Sequence, residues 1–225
     1  MTVFQGGRGD PECSRHAVLY DEVAMEDRDM FRLEAFSDAV FAIAITLLVL
    51  EIKVPSLSPA ASNAELWEAL GDLWPSFIAY VASFLAILIT WVNHHELVHL
   101  VHHSGRVFMF ANGALLLFVV FLPFPTAVLA HYLNQSAANV AAALYCGTWT
   151  LLNVCFNVVL HAALKSEAIL IYQHDHPVIK NIRRAYLLAL PVYFIATLLA
   201  LLNAMTGLLV CFGVWILWAV LRYRA

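Results

Sequence analysis

Residues 32–50 read Arg-Leu-Glu-Ala-Phe-Ser-Asp-Ala-Val-Phe-Ala-Ile-Ala-Ile-Thr-Leu-Leu-Val-Leu. Between Ala39 and Leu50 no charge interrupts the apolar run, and Phe31, Leu33, Ile52 and Val54 extend it on both sides. A membrane-crossing helix needs about 20 such residues. The pattern recurs along the chain. With Phe36–Leu50 as the first span, further candidates are Leu73–Val92, Val107–Ala130, Ala138–Leu164, Ala185–Leu202 and Thr206–Leu221. Overall, 62% of residues are hydrophobic and 12% charged, whereas soluble domains carry roughly a quarter charged residues. A chain of 225 residues cannot hide that much apolar surface from water, which leaves lipid as its solvent. The predicted fold class is an all-α integral membrane protein with six transmembrane helices per subunit. Ala185 to Leu221 is too long for one crossing, and Asn203, Thr206 and Gly207 predict a turn that splits it.

Lys and Arg give the orientation, because short cytoplasmic loops retain them. Arg8, Arg15, Arg28 and Arg32 precede the first span, and Arg106 lies between the second and third. Lys165, Lys180, Arg183 and Arg184 lie between the fourth and fifth, and Arg222 and Arg224 follow the sixth. Lys53 is the one cation of the twelve on the other side. Both termini are therefore expected in the cytoplasm of a multi-pass protein, with the plasma membrane as its site. Residues 1–30 contain Gly6, Gly7, Gly9, Pro11 and a mixed charge cluster without an apolar signal-peptide core. They read as a flexible cytosolic tail ahead of a transmembrane domain over 31–225. The outer loop from Pro55 to Asp72 reads as a turn and a short interfacial helix, with Trp67 and Trp74 near the headgroups. Cys13, Cys146, Cys155 and Cys211 show no paired spacing, so neither a disulfide framework nor a CxxC site is expected.

An ionisable group inside a span is costly and needs a reason. Asp38 is the formal charge inside the expected spans, and Arg32 is the nearest cation to partner it. On a helical wheel Phe36, Ile43 and Leu50 share a face flanked by Thr46 and Leu47, while Asp38 lies about 140° from Ile43. Asp38 is thus expected in a polar cluster with other helices, or as a carboxylate favoured by a helix N-terminus. By itself the aliphatic stripe reads first as ordinary helix packing.

The spacing Arg32-x-x-x-Phe36-Ser37-Asp38 at the start of the first span resembles the signature of the transmembrane-protein-175 family, endosomal and lysosomal potassium channels and their prokaryotic relatives. Trp91-Val92-Asn93-His94-His95 at the end of the second span resembles a Trp…His-His element of the same family. The resemblance implies a homotetramer whose first helices surround a central pore. Ile43, Leu47 and Leu50 would form an aliphatic constriction acting as a hydrophobic gate. Thr46 would supply a hydroxyl ring linked to preference for potassium over sodium. Arg32, Phe36, Ser37 and Asp38 would support the pore helix, and Trp91, Asn93, His94 and His95 would form a polar element of the second span. The permeant species would be K⁺ with other monovalent cations, modestly discriminated, with the bilayer as surroundings and neither cofactor, resident metal nor nucleic acid involved.

One motif points elsewhere. His94, His95, His99, His102 and His103 cluster after the second span, and His95-Glu96-Leu97-Val98-His99 matches the HExxH pattern of zinc proteases. The longer metal-binding form would need a histidine at Gly105, so His102 or His103 would have to serve as third ligand. An intramembrane zinc metalloprotease is one alternative, and a secondary transporter is another. Absence of further carboxylates or lysines within the spans weighs against proton-coupled transport. Asn112, Asn153, Asn157 and His161 are expected to satisfy one another between the third and fourth spans.

Overall fold

A computed structural model describes residues 11–101, 105–165 and 176–220, with side chains from residue 28 onward. The described elements form a helical bundle: α1 (Pro11–Leu47), α2 (Asn63–Asp72), α3 (Trp74–Val98), α4 (Arg106–Phe121), α5 (Pro123–Tyr132), α6 (Ala138–Leu164), α7 (Pro177–Leu202) and α8 (Ala204–Val220). Among the described residues, five spans are long and apolar enough to cross a membrane: Arg28–Glu51, Trp74–Val98, Arg106–Tyr132, Ala138–Leu164 and Pro177–Leu202. The sixth expected crossing is α8, a shorter apolar helix of 17 residues. At 1.5 Å per residue it covers about 25 Å, somewhat less than the ~30 Å hydrocarbon core.

Local chemistry explains the breaks. The third span is interrupted at Leu122 because Pro123 has no N–H to donate and Pro125 follows it. Leu122 N donates to Val119 O at 3.2 Å, a tighter turn than the α-helix, and Thr126 Oγ1 donates to Leu122 O at 2.8 Å. The α7–α8 turn falls at Asn203, whose backbone is extended (φ −152°, ψ 115°). Asn139 of α6 clips both sides of this break. Its Nδ2 donates to Leu202 O at 3.2 Å, and its Oδ1 accepts from Ala204 N at 2.9 Å. Thr206 and Gly207 lie inside α8 and are not part of the turn. Gly207 has another purpose: a Cβ there would run into Ala200 Cβ and stand 2.7 Å from Ala196 O, so its absence lets α8 lie against α7.

Helix α6 is the hub of the subunit, packing on α4, α5, α7 and α8. Its Tyr145 OH hydrogen-bonds Ser83 Oγ of α3 at 2.8 Å, and Ser83 meets Thr126 Oγ1 of α5 at 2.9 Å. Tyr145, Trp149 and Trp215 stack edge to face with centroids 5.0–6.2 Å apart. Helix α2 begins with a capping box at Ser62 and Glu65 and buries no residue, as suits an interfacial segment. Helix α1 packs on α3 and α4 along one side. It tightens into a 3₁₀ turn over Leu48–Glu51, so the α-helical wheel stops at Leu47 and Leu50 sits on the tighter turn.

Candidate functional site

The two faces of α1 differ completely. Leu33, Ser37, Phe41, Ala44 and Leu48, spaced three and four apart, are buried against the bundle. On the opposite side Phe36, Ile43, Leu47 and Leu50 are 61%, 54%, 36% and 62% exposed in the single subunit. Thr46 is on this open side, and its Oγ1 donates to Ile43 O at 2.8 Å. With its hydrogen committed to its own helix, the hydroxyl oxygen remains an acceptor.

On the bundle side a hydrogen-bonded chain crosses three helices. Ser37 Oγ donates to Leu33 O at 2.8 Å and accepts from Asn112 Nδ2 at 2.9 Å. Asn112 Oδ1 then meets His94 Nε2 at 2.7 Å. All three side chains are buried, so each must find its partner within the protein. The His94 ring also packs against Phe41, with centroids 5.2 Å apart. Beside this chain Trp91 Nε1 donates to Asp38 Oδ1 at 2.8 Å. Asp38 thus points away from the aliphatic stripe into a polar cluster, as the wheel requires, but its partner is Trp91 and not Arg32. It lies well inside α1, which rules out the helix N-terminal role.

A third polar contact lies one turn nearer the end of the bundle. Glu34 Oε1 is 3.0 Å from His95 Nδ1 and 3.3 Å from His99 Nε2, while His95 Nε2 and His99 Nε2 are 3.1 Å apart. The Trp91 ring stacks on His95 with centroids 5.7 Å apart. His94 and His95, placed after the second span, are thus helical: α3 continues to Val98, and His99 caps it. His102 and His103 lie outside the described residues. In the HExxH pattern it is Glu34 of α1 that approaches the two imidazoles, while Glu96 faces outward and is exposed.

Several expected groupings divide. Of the support residues on α1, Ser37 and Asp38 turn inward, whereas Arg32 and Phe36 are exposed. Of the α3 element, Trp91, His94 and His95 meet residues of the α1 signature or its network. Asn93 instead lines a small cavity with Trp149, Asn153, Tyr193 and Trp215, its Nδ2 donating to Ile89 O. The asparagines do not form the expected group. Asn112 joins Ser37 and His94, while Asn157 donates to Asn153 Oδ1 and O on its own helix and to Tyr186 O of α7. Glu34 lies outside the expected first span, which begins at Phe36. Its position four residues before Asp38, one turn away on the same face, was the available signal.

Comparison with known proteins gives the family. Residues 32–123 match the family model described as the endosomal/lysosomal potassium channel TMEM175. A protein of Chamaesiphon minutus named as a potassium channel is 41% identical over 189 residues, covering 84% of this chain and 93% of its own length. The crystal structure of a lysosomal potassium-selective channel TMEM175 homolog from the same organism superposes with a TM-score of 0.77 at 40% identity, over 88% of this chain and 100% of the other. A Gallus gallus protein named as an endosomal/lysosomal proton channel, TMEM175, is 31% identical over 146 residues, and the match spans 29% of its length. With one relative aligned over almost its whole length and the family model covering the α1 signature through α4, this chain belongs to the TMEM175 family.

Proposed function

We propose that this chain is one subunit of a homotetrameric channel that conducts K⁺ passively through a central pore ringed by α1. The observation that carries this reading is the two-sided chemistry of α1. Its Ser37 and Asp38 are hydrogen-bonded into the subunit, while Phe36, Ile43, Leu47 and Leu50 are left open with Thr46 among them. On a lone subunit such a face meets lipid, as the apolar faces of the other helices do, but copies arranged around an axis turn it into a lining.

The mechanism follows from the side chains. Rings of Ile43, Leu47 and Leu50 narrow the path until water leaves, and an ion then meets a dewetting barrier. A small rotation of α1 withdraws the aliphatic groups and rewets the neck. Thr46, whose hydroxyl hydrogen is used by Ile43 O, offers its oxygen to a partly dehydrated cation. Such a ring separates K⁺ from Na⁺ modestly, because no cage of backbone carbonyls accompanies it on α1 among the described residues. Ser37 and Asp38, through Asn112, His94 and Trp91, hold the pore helix at its register. Arg32 and Phe36, on the open side of the same turn, and His95 complete the support. Other monovalent cations share the path. Neither a cofactor nor catalysis enters. The working unit is residues 31–225, preceded by a cytosolic tail, in a plasma membrane with both termini inside.

The test is K⁺ flux from proteoliposomes holding the purified chain. Leu47→Ala should raise flux several-fold relative to the unaltered chain at equal protein content. Equal flux in Ile43→Ala, Leu47→Ala and the unaltered chain, or a protein that stays monomeric in lipid, would remove the proposed gate.

A further inference from the structure

We propose that Glu34, His95 and His99 form a binding site for a divalent first-row transition-metal ion, zinc by preference, that fastens α1 to α3. The three residues each offer one ligand atom, all within 4.8 Å of one another. Zinc binds imidazole nitrogen and carboxylate oxygen at about 2.0–2.2 Å in tetrahedral geometry, which places neighbouring ligand atoms about 3.3–3.5 Å apart. Glu34 Oε1 to His99 Nε2 is already 3.3 Å, and the two Nε2 atoms are 3.1 Å apart. Glu34 Oε1 meets His95 at its other nitrogen, Nδ1, at 3.0 Å, so the His95 ring must also turn to present one nitrogen to the ion.

The ligand types choose the ion. Two imidazoles and one carboxylate suit zinc and its neighbours in the first transition row, whereas Mg²⁺ and Ca²⁺ prefer all-oxygen sets. His95 and His99 are one helical turn apart on α3, the spacing that brings two imidazoles to one ion. The fourth position is open to water, since His99 is 60% exposed. The surroundings also behave as an outer shell. Trp91 stacks on His95 and is itself tied to Asp38, restricting the ring that would bind. His94, by contrast, is excluded because its Nε2 is engaged by Asn112 in the buried chain.

Without an ion a shared proton meets the 3.1 Å distance between the two Nε2 atoms, while the buried His95 Nδ1 has no hydrogen-bond partner although Glu34 Oε1 lies 3.0 Å away. A metal and a shared proton compete for the same lone pairs, so the two cases are separated by measuring metal. The site involves Glu34 and not Glu96, which distinguishes it from a protease centre built on the HExxH pattern. It stands independently of the pore reading, and its test uses no flux.

The experiment is titration calorimetry of the full detergent-solubilised chain with zinc chloride, repeated with Co²⁺ while following visible d–d absorption. The unaltered chain should take up about one ion per subunit. Glu34→Gln and His99→Ala should each weaken binding by well over tenfold, since loss of even an outer-shell partner costs about 10–100-fold. Glu96→Gln and the double variant His102→Ala/His103→Ala should bind as the unaltered chain does. His99 is exposed enough for its alanine variant to fold, and the size-exclusion profile checks this for each protein. Absence of saturable zinc binding, undiminished affinity in His99→Ala, or equal loss in Glu96→Gln or in the His102/His103 variant would overturn the site.

Discussion

Helices α1 and α6 both cross the membrane, yet the first is 28% buried along its apolar window and the second 61%. The more buried helix is the less apolar of the two. Inside a bilayer, lipid tails are as apolar as leucine, so greasiness does not decide which helix sits in the middle. Small and polar residues decide it. Helix α6 carries Ala141, Ala142, Ala143, Gly147, Ala162 and Ala163, with Thr150 Oγ1 meeting Thr197 Oγ1 of α7 at 3.0 Å. Helix α1 keeps such contacts to one face and leaves Ile43, Leu47 and Leu50 outside. One helix serves the subunit's own stability, and in the proposed channel the other serves what forms between subunits.

That contrast predicts opposite outcomes for two large-to-alanine changes. Trp149→Ala removes the middle ring of the α6–α8 aromatic group, a loss of about 3–5 kcal/mol typical of buried Trp truncation. The lowered midpoint should be visible in denaturant or thermal unfolding of the detergent-solubilised subunit. A stability close to that of the unaltered chain would remove α6 from the role of hub.

Between the extremes stands Asn112, which links the hub's neighbour α4 to α1. Asn112→Leu keeps the bulk but orphans His94 Nε2 and one contact of Ser37, while Ser37 still donates to Leu33 O. An unsatisfied buried group costs about 1–3 kcal/mol in water-soluble proteins, and measured hydrogen bonds between membrane helices average about 0.6 kcal/mol. A destabilisation of about 1–2 kcal/mol is expected, together with altered K⁺ flux because the register of α1 loosens. Unchanged stability and flux would show that Trp91 and Asp38 suffice to hold the helix.

Ile43→Ala sharpens the comparison from the other side. Its side chain is over half exposed in the subunit, so subunit stability should move by no more than about 0.5 kcal/mol. K⁺ flux should nevertheless rise, and Thr46→Ala beside it should lower the K⁺-to-Na⁺ permeability ratio read from reversal potentials. A large stability loss in Ile43→Ala would mean that this residue packs within its own subunit.

The unequal legibility of the two regions has the same origin. Span positions were readable because one property, the length of an uncharged run, reports them. The Asn203 break and the crossing at Ala138–Leu164 followed directly. The inward direction of Asp38 was readable from helical period alone. What escaped was partner choice. Trp91 for Asp38, and Asn112 for Ser37 and His94, pair residues 53, 75 and 18 positions apart, and no local pattern encodes which polar residues of different spans meet. Gly207 looked like a turn residue because glycine punctuates sequences, whereas here it clears space for Ala200. The two-proline break at Pro123 and the 3₁₀ turn at Leu48–Glu51 are adjustments within spans, which hydropathy averages away.

Helix α2 marks the exposed limit of this range and gives the smallest effect, confined to one helix end. None of its residues is buried, so its order rests on local hydrogen bonds. Glu65 Oε2 accepts from Ser62 N at 2.6 Å and from Ser62 Oγ at 2.9 Å, and Ser62 Oγ accepts from Glu65 N at 3.3 Å. The bonds from Ser62 backbone and hydroxyl favour the charged carboxylate and hold its pKa below the usual value. A carboxylate whose folded pKa is depressed contributes its stability above the unfolded value, about 4.3 for glutamate, and loses it as pH falls through the lower folded one. Amide exchange at the start of α2, corrected for intrinsic rate, should therefore accelerate only in acid. Ser62→Ala should show the faster exchange already at neutral pH and respond less to acidification. The start of α3, whose Leu73 cap makes no side-chain hydrogen bond, should show no such response. An α2 that exchanges identically with and without the Ser62 hydroxyl, at both pH values, would mean that contacts outside its own sequence hold it.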